Sequence, residues 1–289
     1  MAKRNSEPPL VRVIKWLFPR LEKIAPFITD RIFRLAFIVP ARYKSPAKEI
    51  AAANEATLSI MVVAGKRVQI YSWGDESHPY VLLVHGWAGR ATQFRKFIAP
   101  LKQAGYRVIG FDGPAHGKSE GRATSMRGFE ESLIKIFAKY SEPEAIVTHS
   151  FGGGAVLYAG SRGLKFPTLI NIATPYVEEE IFKTYLRALG ASSTSMQKFK
   201  DHVVKSEGHP FVEFTGSHTI KLLPAPIRLL LIQDEEDTEV PIINAEALLK
   251  IYPSATLHRT KGLGHTRILK DDRVILECVA FIRRGDHAS

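Results

Sequence analysis

The chain has 289 residues, 45% of them hydrophobic, and a net charge of +11. That length suits one large domain with insertions or two small ones, and the composition is that of a soluble globular protein able to bury a sizeable core. The charge is uneven: residues 1–48 hold eleven Lys or Arg against three Asp or Glu, and the rest hold 29 against 26, so the body lacks a global basic surface and nucleic-acid binding is not expected.

The single cysteine, Cys278, excludes an internal disulfide, and its place in the apolar run Val274–Phe281 suits packing. No apolar run approaches the ~20 residues of a membrane span, and the N-terminus does not read as a cleaved signal. A cytoplasmic protein is expected.

From Leu10, the residues Leu10, Ile14, Leu17, Leu21, Ile24 and Ile28 recur at helical spacing, with Arg12, Lys15, Arg20 and Lys23 on other faces. Residues 1–55 therefore read as a basic amphipathic helical arm, in which Pro19 and Pro26 start or kink separate pieces and Pro40 ends the apolar stretch. Two readings compete for residues 8–40. They could contact a membrane peripherally through Trp16, Phe18, Phe27 and Phe33, with the basic side chains on anionic head groups. Alternatively they dock on the body, and the prolines, which imply short folded-back pieces, favour docking.

Met61–Tyr71 gives two β runs about a Gly-Lys turn, so the body begins near Ala56. Tyr80–Val84 is a continuous apolar run, as expected of a strand buried on both faces; His85-Gly86-Trp87-Ala88-Gly89-Arg90 follows, then a helix from about 92 to 104. The strand Tyr106–Phe111 runs into Asp112-Gly113-Pro114-Ala115-His116-Gly117-Lys118-Ser119, and a helix spans 125–140.

The apolar run Ala145–Thr148 ends at His149 and Ser150, before Phe151 and three glycines. A strand that reverses into a helix within about two residues forces its apex into strained backbone, and Gly152 and Gly153 give the chains room to approach. Ser150 is accordingly the candidate nucleophile. After the strand Phe166–Ala173, residues 176–223 break the alternation; they are polar, partly helix-prone, and contain His202, His209 and His218 without metal-ligand spacing. Ile227–Gln233 resumes the sheet, Asp234-Glu235-Glu236-Asp237 follows, Ala255–Arg259 is the last strand, and Gly262-Leu263-Gly264-His265 precedes a final helix from about 267 to 283. The alternation implies a parallel sheet covered on both faces with its site at the carboxyl ends of the strands, where Ser150, Asp237 and His265 fall.

These motifs resemble those of the α/β-hydrolases over roughly residues 60–285. Thr148–Gly152 is similar to the G-x-S-x-G elbow, with Thr148 at the first glycine, and Asp112–Ser119 to the D-x-P-G-H-G-x-S turn, with Ala115 at a glycine. The resemblance implies an α/β fold: a mostly parallel sheet with helices on both faces, a core of 56–175 and 224–289, and a helical cap at 176–223. It implies Ser150 as nucleophile, His265 as base and Asp237 as acid, with Asp234 three residues earlier as the competing carboxylate. The amides of Trp87 and Phe151 would hold the oxyanion. His85, Gly86, Asp112, His116, Gly117 and Gly152 would shape the turns, His116 without chemistry of its own. The implied activity is serine hydrolysis of an ester-type bond in a small or medium apolar acyl substrate, with no cofactor and no metal. Thioester hydrolysis, carbon–carbon bond hydrolysis, acyl transfer on the same triad, and a non-catalytic binding protein are the alternatives.

Overall fold

A computed structural model describes residues 9–285. In chain order, α1 (Pro9–Ile24) and α2 (Pro26–Ile38) form the arm and α3 (Ala47–Asn54) follows. Strands β1 (Thr57–Val63), β2 (Lys66–Trp73) and β3 (Tyr80–Val84) lead to α4 (Arg95–Gln103), β4 (Arg107–Phe111), α5 (Met126–Tyr140), β5 (Ala145–His149), α6 (Phe151–Ser161) and β6 (Thr168–Ile172). The insertion contains α7 (Glu178–Leu189), α8 (Ser193–Glu207) and the short α9 (Gly216–Thr219). Then come β7 (Arg228–Asp234), α10 (Ile243–Ile251), β8 (Thr256–Thr260), the short α11 (Gly264–Arg267) and α12 (Asp272–Arg283).

The eight strands form one sheet in the order β1-β2-β4-β3-β5-β6-β7-β8. Strands β1 and β2 pair antiparallel, β2 pairs antiparallel with β4, and every pair from β4 to β8 is parallel. The chain winds to one side of β3 to make β4 and to the other to make β5, so the crevice beyond the carboxyl end of β3 is the topological switch point where open α/β sheets bind ligands.

β3 shows why the sheet strands read as unbroken apolar runs. Tyr80, Leu82 and Val84 enter one core with Phe129 and Leu133 of α5 and Val156 of α6, while Val81 and Leu83 enter the other with Phe97 of α4 and Val274 and Cys278 of α12. Each such aliphatic side chain contributes roughly 1.5–3 kcal/mol by leaving water. Cys278 is fully buried, and burial pushes its thiol pKa up, as suits a packing residue.

Several boundaries differ from the sequence expectation. Pro19 does not divide the first helix; the carbonyl it cannot bond, that of Lys15, lies against Gly190, where a Cβ would sit 2.8 Å from that oxygen. The last helix begins at Asp272 rather than 267, because the Asp271 carboxylate caps it by accepting from the amides of Arg273 (3.0 Å) and Val274 (3.1 Å). Residues 47–54, grouped with the arm from sequence, belong to the body instead. Ala52 is buried in the core beside Trp73, whose Nε1–H donates to the Ala52 carbonyl at 2.8 Å.

Glu49 of α3 carries a buried charge that needs its partner: Arg90 Nε lies 3.0 Å from Glu49 Oε2, with side-chain exposures of 7% and 8%. Arg90→Leu strands that carboxylate and is expected to reduce unfolding free energy by about 3–5 kcal/mol, read in urea denaturation. A loss below that of a typical surface substitution would remove α3 from the body's foundation.

The arm packs on the insertion rather than on the sheet. Phe18 of α1 and Phe33 of α2 share a core with Phe182 of α7 and Phe199 and Val203 of α8. Phe37 stacks between Tyr185 (3.7 Å between centroids) and Phe199 (4.1 Å). Glu22 adds a polar clasp at the N-terminus of α8, where its carboxylate accepts from the Ser192 amide at 3.2 Å and hydroxyl at 2.9 Å, a favourable end of the helix for a negative charge.

Candidate active site

The Ser150 turn is strained by its position. Its φ of 51° and ψ of −124° lie outside the regions open to residues with a Cβ, and the conformation persists because the surroundings fix it. The Ser150 amide donates to the Ile172 carbonyl at 2.9 Å, which ties the turn to the end of β6. Close approach requires the neighbouring glycines: a Cβ at Gly152 would sit 2.5 Å from the Val84 carbonyl oxygen, and one at Gly86 would sit 2.8 Å from the Ser150 Cβ. Thr148, at the first glycine of the motif, is buried with its hydroxyl donating to Asn171 Oδ1 at 2.6 Å.

His265 and Asp237 meet at the carboxyl ends of β8 and β7. His265 Nδ1 lies 2.8 Å from Asp237 Oδ2, with side-chain exposures of 10% and 0%. The other Asp237 oxygen accepts from the amides of Glu239 (2.8 Å) and Val240 (2.9 Å), so the carboxylate is aimed by its own loop. Burial works to lower the His265 pKa, but the hydrogen bond and charge of Asp237, with the charge of Glu239, outweigh it and hold the imidazole above the usual histidine value. Asp234 faces elsewhere: it accepts from the Glu236 amide (3.0 Å), the Thr260 hydroxyl (2.8 Å) and the Leu263 amide (2.9 Å), pinning the loop that carries His265 to β7.

Three further histidines hold the site's loops, each in a neutral form enforced by burial. His85 accepts on Nε2 from the Gly113 amide at 2.8 Å and bonds the Gly86 carbonyl through Nδ1 at 2.7 Å; burial pushes its pKa down to about 4. His116 bonds the Pro114 carbonyl through Nδ1 (3.0 Å) and accepts on Nε2 from the Ala88 amide (3.1 Å), so it links the Asp112 turn to the loop bearing Trp87; its pKa falls to about 3 for the same reason. His149 donates from Nε2 to the His265 carbonyl at 2.8 Å, with burial again pushing it to about 3. Asp112 completes the network by accepting from the Ala91 amide (2.9 Å), the Lys118 amide (2.8 Å) and the Tyr71 hydroxyl (3.0 Å). Gly117, at φ 45°, passes so close that a Cβ would overlap that carboxylate.

Ser150, His265, Trp87 and Phe151 line one cavity of about 590 Å³, within the range of small-molecule sites. The Trp87 and Phe151 rings meet edge to face at 5.3 Å. Most of the remaining wall is apolar and comes from the insertion and the arm, including Phe37, Tyr185 and Phe211. The structure thus brings together five of the residues named from sequence, Asp237 through His265, and leaves Asp234 outside the group.

Residues 79–214 match the profile of the alpha/beta hydrolase fold family. That match covers a little under half of the chain, and the structure carries the α/β-hydrolase fold. A Pyrococcus furiosus esterase shares the α/β-hydrolase fold with a TM-score of 0.62 at 17% identity, covering 86% of this chain and 97% of that one. Among sequences, a monoacylglycerol lipase of Mycolicibacterium smegmatis is 30% identical over 110 residues, 35% of this chain. The match spans only 39% of that lipase's length. Methylesterase 9 of Arabidopsis thaliana is 24% identical over 216 residues, 69% of this chain and 78% of its own.

Two features of this site were missed in the sequence. His149 was noted only as a neighbour of Ser150, and its partner is 116 residues away. The arm's contribution of Phe37, Ile38 and Tyr43 to the cavity had a signal, the apolar stretch 32–39, but nothing there named the surface it would meet.

Proposed function

We propose that this α/β hydrolase is a serine esterase that cleaves an ester of an apolar carboxylic acid through an acyl-enzyme on Ser150. One observation carries the reading: a serine at a strained turn shares an apolar cavity with an imidazole whose far nitrogen is held by a buried carboxylate. With Nδ1 committed to Asp237, Nε2 of His265 takes the Ser150 proton as Oγ attacks the acyl carbon. The amides of Phe151 and Trp87 would receive the oxyanion, each such donor contributing about 3 kcal/mol. His265 then protonates the departing alcohol, and water repeats the attack to release the acid. The names of the similar proteins, a lipase, a methylesterase and an esterase, favour an ester over an amide. Turnover of p-nitrophenyl esters of increasing chain length tests this, with a fluorophosphonate as covalent inhibitor. Absence of turnover across the series would defeat the proposal.

The His265 environment fixes a pH dependence. The base must be neutral, so kcat/KM is expected to fall with decreasing pH through a midpoint above the ordinary histidine value of 6.5. Stability runs the other way, because the folded pKa exceeds the unfolded one. The attraction between imidazolium and Asp237 stabilises the fold fully below the unfolded pKa and is lost as pH rises through the folded pKa. A pH–rate profile with its acid midpoint below the ordinary value would remove Asp237 from His265.

A further inference from the structure

The arm has two sides. One is buried against the insertion through Phe18 and Phe33; the other presents Trp16, Leu17 and Ile24 of α1 and Phe27, Ile28 and Ile32 of α2 to solvent. The exposures are large, 59% for Trp16, 78% for Ile24 and 73% for Phe27. Eleven of the twenty-one exposed large apolar side chains among the described residues lie in residues 13–43. An apolar concentration of that kind marks an interaction surface.

Its charge selects the occupant. Residues 12–44 contain eight Lys or Arg and two Asp or Glu. Both acids are engaged, Glu22 by Ser192 and Ser195 and Asp30 by Arg34 at 3.4 Å. The Arg20 guanidinium lies 4.0 Å over the Trp16 ring, so a cation and an interfacial aromatic are presented together. A second copy on this face would oppose two strongly basic surfaces. No helix among the described residues is long and apolar enough to cross a membrane, and α1 and α2 combine Lys and Arg with exposed Trp16, Leu17 and Phe27, the composition of helices that lie in an interface.

We propose that the exposed face of α1 and α2 seats the protein on an anionic lipid surface. The end of the same α2 carries Phe37 and Ile38 into the wall of the Ser150 cavity, so the docked surface adjoins the site and an acyl lipid is the substrate class it would supply. That last step rests on the esterase reading; the docking does not.

The test uses the full chain and sedimentation with two vesicle preparations, phosphatidylcholine alone and an equal mixture with phosphatidylglycerol. Binding is expected only to the mixture, and to weaken as salt rises. Trp16→Ser with Phe27→Ser, and separately Arg20→Glu with Lys23→Glu, should each reduce partitioning at least about tenfold. Melting temperature and turnover of a water-soluble short-chain ester should be unchanged, since these side chains are exposed and outside the cavity. Equal binding by wild type and variants, or no binding to anionic vesicles, overturns the proposal. So does a dimer that the variants dissociate, which would assign the face to a second copy. Vesicle binding without any ester hydrolysis would uphold the docking and defeat the esterase reading alone.

Discussion

Ser150→Ala is expected to lose ester hydrolysis by about 10⁴- to 10⁶-fold while folding normally. The substitution removes only Oγ. The φ of 51° is imposed by the Ile172 contact and by the packing of Gly86 and Gly152 against the turn, and alanine carries the same Cβ as serine. Whatever the Phe151 and Trp87 amides contribute to an oxyanion survives, so the remaining rate should still exceed the uncatalysed one. Mass spectrometry after fluorophosphonate treatment should locate the adduct on the peptide containing Ser150 and find none in the variant. Full activity in the variant, or an adduct elsewhere, would end the assignment.

Asp237→Asn should lower kcat by about 10⁴-fold. An amide at this position can still accept from Glu239 and Val240, yet toward His265 it no longer offers a charge and can hold the ring in the tautomer that leaves Nε2 protonated. The acid limb of the pH profile should also move down, because the carboxylate is what raises the His265 pKa against burial. Asp234→Asn should behave differently. Its three donors, Glu236, Thr260 and Leu263, fasten a loop, so the expected loss is about 1–3 kcal/mol of stability with a smaller change in kcat. If Asp234→Asn proved the more damaging to kcat at full folding, the acid's role would pass to that residue.

The sheet and the turns were legible because each leaves a local mark. A strand covered on both faces reads as a continuous apolar run, as β3 does, and a serine at a strained apex must have small neighbours. The choice between Asp234 and Asp237 had no such mark. Asp234 ends β7 and Asp237 follows three residues later, so in sequence they are near neighbours, and it is the direction of each carboxylate that separates them. The Ala-rich α3 was assigned to the wrong unit because short side chains give no periodicity, and its attachment depends on partners such as Trp73 and Arg90 far along the chain. His149 stayed hidden for a similar reason: a bond to a backbone carbonyl leaves no trace in the partner's residue type.

Because Phe18, Phe33 and Phe37 share one core with α7 and α8, the unit that shapes the cavity roof is discontinuous, assembled from the start of the chain and from its middle. Grafting the insertion alone onto a relative would expose a row of aromatic rings and give an insoluble chimera. Reshaping that roof therefore involves two segments some 150 residues apart in sequence, which meet where Phe37 stacks on Tyr185.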